Sequence, residues 1–103
     1  MANTQNLFKE NANKVHNILV EEVSPNNFKV VVNQGSTTEH HVIANKDFLN
    51  QFTKYNISPE NIVKHSFEFL LDREPNTSIL RKFDINVISN YFPEYTETIK
   101  EYF

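Results

Sequence analysis

Cysteine is absent from this chain of 103 residues, and glycine occurs once. Without cysteine there is no disulfide, no thiolate metal ligand and no cysteine nucleophile. With Gly35 as the single glycine, no glycine-rich phosphate loop can be built. Long apolar runs are missing too, and nothing approaches the roughly 20 residues of a membrane-spanning helix. The opening MANTQNLFKENANK is polar and lacks the apolar centre of a secretory signal. These absences set the expectation of a cytoplasmic protein in a reducing compartment, without a membrane anchor.

An excess of positive charge is also lacking. Ten Lys and Arg face thirteen Asp and Glu, for a net charge of −3. Residues 1–56 balance, with five Lys against five acids, whereas residues 57–103 carry five bases against eight acids. An acidic second half gives no electrostatic reason to bind nucleic acid or an anionic membrane.

What the chain has is aromatic mass: nine Phe and four Tyr. Each buried ring contributes on the order of 1.5–3 kcal/mol. That is how a chain of this length offsets an ordering entropy of roughly 1–2 kcal/mol per residue.

Patterning divides the chain into a polar arm, a strand region and a helical region. Residues 1–14 read as a flexible arm with Leu7 and Phe8 as its apolar anchors. Residues 15–103 read as one α+β domain. Val15–Val23 fits either a helix face or a strand, and the β-branched run that follows favours a strand over Ile18–Val23. Ser24-Pro25-Asn26-Asn27 is a turn, and Phe28–Val32 is a second strand. Gly35 fits a position needing positive φ. Thr38–Asn45 alternates, with His40, Val42 and Ala44 on one side. Residues 15–45 thus predict a three-stranded antiparallel β-meander.

Residues 46–103 predict four to five short helices packed on that meander. Ser58-Pro59-Glu60 starts the longest, since Ser caps, Pro suits the first helical position and the acid complements the dipole. Val63, Phe67, Leu70 and Leu71 centre a wide apolar arc, and Pro75 ends the helix. A capped turn at Asn76–Ser78 is expected to open a short helix carrying Ile79, Leu80 and Phe83. Asp84 caps the next, with Ile85, Ile88 and Phe92 at helical spacing, and Tyr95, Ile99 and Tyr102 mark the last.

Two passages together carry a likeness. One is Thr38-Glu39-His40-His41-Val42-Ile43 followed by Asp47-Phe48-Leu49. The other is Ser66-Phe67-Glu68-Phe69-Leu70-Leu71, Arg73-Glu74-Pro75, Ser78-Ile79-Leu80, Phe83-Asp84 and Tyr91-Phe92-Pro93-Glu94-Tyr95. Over residues 38–99 the chain resembles a family of short, uncharacterised bacterial proteins in which a small β-hairpin region precedes the same helical block. The resemblance implies a bacterial, cytoplasmic, one-domain protein and carries no activity, cofactor or site residue. This chain departs from the family in its longer polar N-terminus.

Candidate chemistry is sparse. His40 and His41 point to opposite faces of a strand, so they cannot hold one ion together; surface or cross-strand pairing is the expectation for both. His65, Glu68 and Asp72 share a helix face opposite the apolar arc, and a solvated face is weighed above a metal or acid/base site there. Arg73, Arg81 and Lys82 form a corner suited to anions or, more simply, to ion pairs with Asp72, Glu74 and Asp84. Tyr91 and Tyr95 flank Phe92-Pro93 in an aromatic knot that either clamps helices or meets a partner. A helix-turn-helix reading is weakly supported, because the helix with Asp84, Asn86, Ser89 and Asn90 has no Lys or Arg inside it.

The leading expectation is a small non-enzymatic module that binds another protein or itself as a homo-oligomer, with Arg73, Arg81, Lys82, Tyr91 and Tyr95 as its surface. The alternatives are a nucleic-acid-binding regulator and a small metal-dependent or acid/base enzyme at His65, Glu68 and Asp72. No cofactor is expected.

Overall fold

The computed structural model describes residues 16–103. The expected N-terminal arm, with Leu7 and Phe8, lies outside them, as does Val15. Three strands open the described chain: β1 (Ile18–Ser24), β2 (Asn27–Gln34) and β3 (Ser36–Ile43). They pair antiparallel in order, with Ile18 opposite Val32 and Val30 opposite His40. Asn26 at the first turn and Gly35 at the second both have positive φ. The Asn26 amide side chain donates to the Ala44 carbonyl at 2.8 Å, which ties the turn to the end of β3.

Alternation decides the faces. Ile18, Phe28, Val30, Val32, Thr38, His40 and Val42 point inward and are buried. Leu19 and His41 are exposed on the other face, beside acidic and basic neighbours. Helix α1 (Lys46–Asn50) begins where the Asn45 side chain accepts from the Phe48 N–H at 2.9 Å. Helix α2 (Pro59–Leu71) begins where Ser58 accepts from the Asn61 N–H, with Pro59 in the first turn as expected. It buries Ile62, Val63, Ser66, Phe67, Phe69, Leu70 and Leu71.

The sheet has four strands, and this corrects the three-stranded expectation. β4 (Lys82–Asp84) joins β3 in parallel, with Val42 opposite Phe83, and the sheet order is β1-β2-β3-β4. The stretch from Ala44 to Arg81 is the long crossover that a parallel neighbour requires. Phe83 therefore does not ride on a short helix with Ile79 and Leu80. Its ring faces Phe67 at 6.1 Å, while Lys82 is exposed and Ile85 is buried again. That alternation is a strand period, and it outweighs the helical spacing of Ile79 and Phe83.

The remaining helices are single turns. Asn76–Ser78 and Ile85–Val87 are tight helical turns, followed by α3 (Ile88–Tyr91), α4 (Tyr95–Thr98) and the turn Ile99–Tyr102. Asp84 does cap, as its position implied: Oδ1 accepts from the Asn86 N–H at 2.9 Å. No helix among the described residues is long and apolar enough to cross a membrane.

Candidate functional sites

Two hollows flank the C-terminal end of α2. The first is a polar cleft of about 420 Å³, bordered by Glu68, Asp72 and Arg73 on one side and by Thr98, Glu101 and Tyr102 on the other. His16 completes it, with its side chain only 4% exposed. Gln34 Nε2 donates to His16 Nδ1 at 2.8 Å, so the ring proton sits on Nε2 and points at Asp72 Oδ1, 3.2 Å away. Asp72 Oδ2 accepts from the Tyr102 hydroxyl at 2.5 Å. Burial, and then the bond to Asp72, raise the Tyr102 pKa, so this phenol stays protonated as the donor.

The expected His65–Glu68–Asp72 face is divided by this arrangement. His65 Nδ1 lies 2.7 Å from Glu68 Oε1, and its ring packs at 5.7 Å from Phe103. Asp72 turns instead to His16 and Tyr102. Both are far away in sequence, and neither spacing nor motif joins them to Asp72. Among the described residues, no group of three His, Asp or Glu side chains converges as a metal ion would require.

The expected cationic corner is also divided. The Arg73 guanidinium lies over the Phe69 ring at 3.6 Å and donates to the Phe69 carbonyl at 3.0 Å. Its ion partner is Glu94 at 3.5 Å, rather than Asp72, Glu74 or Asp84. The bridge is half in solvent and contributes at most about 1 kcal/mol, so the stacking does more to fix the side chain. Arg81 and Lys82 sit apart, exposed at the start of β4, with no ion pair among the described residues.

Tyr95 is not a surface residue. It is fully buried, packs against Phe48 and Phe69, and shares a hydrogen bond with Ser66. Burial pushes its pKa upward, so it is a neutral clamp between α4 and α2. Tyr91 is 67% exposed, as a partner surface requires.

Tyr91 stands at the rim of the second hollow, an apolar groove of about 180 Å³ beside β4. Leu70, Ile79, Phe83, Val87, Ile88 and Phe92 supply its apolar lining. Leu80, 47% exposed, lines it as well. Among the described residues, Glu74 is the single charged one in the lining, and burial raises its pKa.

His40 positions this groove. Of the expected surface or cross-strand pairing, the structure overturns the surface part: His40 stands opposite Val30 but is wholly buried against Phe67 at 5.2 Å. His40 Nδ1 donates to the Leu80 carbonyl at 2.7 Å, which leaves Nε2 to accept from the Thr38 hydroxyl at 2.8 Å. Asn76 Nδ2 donates to the same hydroxyl at 3.0 Å and to the Ser36 carbonyl at 2.9 Å. Both ring nitrogens of His40 and the Thr38 hydroxyl thus have partners, as burial demands. The chain Asn76–Thr38–His40–Leu80 pins the loop before β4 to the sheet. His41, on the opposite face, is exposed and pairs with Glu39 at 3.1 Å.

Comparisons with protein-family models, curated proteins and solved structures found no match.

Proposed function

We propose that the protein is a small non-enzymatic interaction module of the bacterial cytoplasm, and that its binding surface is the groove beside β4. The observation that carries this reading is the pairing of a hollow with uncovered apolar side chains. An apolar cavity of about 150 Å³ accommodates benzene. A groove of about 180 Å³ rimmed by Leu80 and Tyr91 therefore suits one aliphatic or aromatic side chain of a partner. Glu74 adds a charge preference: a Lys or Arg next to that side chain would offset a carboxylate that burial disfavours in its charged form. Membership of the bacterial family is proposed on the likeness over residues 38–99.

The alternatives have weaker support. An acid/base site at His65, Glu68 and Asp72 would need the three to converge, yet His65 pairs with Glu68 while Asp72 bonds His16 and Tyr102. A DNA-reading helix would need length, and α3 is a single turn.

A photo-crosslinking residue placed at Tyr91 and, separately, at Tyr102 tests the reading. The expected result is a discrete protein adduct from position 91 that Leu80→Glu abolishes, with none from position 102. Equal labelling at the two positions, or an adduct indifferent to Leu80→Glu, would contradict it.

A further inference from the structure

We infer that the partner at this groove is a second copy of the chain, joined antiparallel through β4 about a twofold axis; the inference rests on the reading of the groove as the binding surface. β4 is the last strand of the sheet, with no neighbour on its outer side among the described residues. The Arg81 carbonyl accepts from the His41 N–H at 2.8 Å. Strand alternation then directs the backbone groups of Phe83 at β3 and turns the N–H of Lys82 and Asp84 outward. This edge is an open template for another strand.

The sequence of the edge complements itself. When Lys82-Phe83-Asp84 meets a second copy antiparallel, centred on Phe83, Lys82 of each copy faces Asp84 of the other. Those are the residues whose backbone groups point outward, so the Asp84 N–H of one copy meets the Lys82 C=O of the other. The same register makes two cross-strand pairs of opposite charges. Lys82 forms no ion pair within the described residues of its own chain, and Asp84 uses only Oδ1 on Asn86, which leaves Oδ2 free among them. Any shift of register would set like charges together or leave both pairs unmade.

The groove lies on the same seam. The twofold carries Leu80 of one copy toward the Ile85–Val87 turn of the other, and Val87 lines the groove. Leu80-Arg81 is an exposed apolar side chain followed by an exposed cation. That is the pair which the hollow and Glu74 require. Such a face is isologous: knob, hollow, acid and base all belong to one patch. A strand of three residues makes a small interface, so the dimer is weak and reversible.

Sedimentation equilibrium of the full chain from about 1 µM to about 1 mM spans the affinities open to a small interface. The expected result is a monomer–dimer equilibrium that Lys82→Asp weakens at least tenfold while circular dichroism is unchanged. Asp84→Lys alone should also be monomeric. An equimolar mixture of the two variants should recover a heterodimer, because the wholly acidic edge of one then faces the wholly basic edge of the other. If Asp84→Lys loses its fold with its cap, Lys82→Asp decides by itself. A wild-type chain monomeric throughout the range, or a dimer indifferent to Lys82→Asp, would overturn the inference. A monomer whose position-91 adduct joins a different protein would overturn the dimer alone and leave the groove reading standing.

Discussion

The polar cleft and the apolar groove share α2 as a wall, yet they dispose of their side chains in opposite ways. In the cleft, Gln34, His16, Asp72 and Tyr102 satisfy one another in a single chain of hydrogen bonds. In the groove, Leu80 and Tyr91 face solvent, uncovered by any of the described residues. A polar hollow whose central groups bond one another holds segments together. An apolar hollow with bare rims gains free energy only when something covers it. On the proposed reading, the cleft serves stability and the groove association. Both grow from one helix, and Phe69 lies beneath both, touching Phe92 on the groove side and Arg73 and Tyr102 on the cleft side.

The largest expected effect removes that common support. Phe69→Ala should lower stability by about 3–5 kcal/mol, since a buried ring leaves a cavity beneath both hollows. Urea denaturation measures this, and a small loss would mean that the two sides do not share a core.

The next separates the sides by pH. Burial lowers the His40 pKa from 6.5, so the unfolded state takes up its proton first as pH falls. The stability that neutral His40 provides is complete above pH 6.5 and is lost as pH drops toward the lowered folded value. One group gives a slope of at most about 1.4 kcal/mol per pH unit. Urea midpoints taken from about pH 7 to about pH 5 should fall, and His40→Gln should flatten the slope. Acid places a proton on Nε2, where Thr38 donates, so it should disturb the Thr38 link in the chain that pins the loop before β4, while Nδ1 keeps its donor to the Leu80 carbonyl.

Smaller effects sharpen the division. Tyr102→Phe removes a hydrogen bond to Asp72 and should cost about 1 kcal/mol of stability while leaving association unchanged. Tyr91→Ala should do the reverse, changing the unfolding free energy by less than about 0.5 kcal/mol while weakening association. Thermal melts paired with sedimentation read both quantities, and a crossed result would reverse the assignment of the two hollows.

The sequence made the first half of the fold legible, because turns and caps are local chemistry. Pro25-Asn26, Gly35 and Ser58-Pro59 each act where their side chains or backbone preferences require. β4 was not legible, since three residues hold too little periodicity and the strand exists only by pairing with β3. Its faint signal was the alternation of Phe83 and Ile85 around Asp84. His40 already shared a parity with Val42 and Ala44, and that placed it in the core had burial been weighed above polarity. Tyr91 and Lys82 were visible as candidate surface residues. The role of His16 was not, because contact with Asp72 across 56 positions leaves no local trace.

Amide hydrogen exchange at Asp84, measured on the concentrated and the diluted protein, tests the central claim most directly. The outward N–H of this edge strand should exchange slowly when the chain is concentrated, quickly when it is dilute, and quickly at both concentrations in Lys82→Asp. The Asn86 amide, capped within the chain, should not respond to concentration. Equal, rapid exchange at Asp84 under all conditions would contradict the account, because the edge and its groove would then stay uncovered.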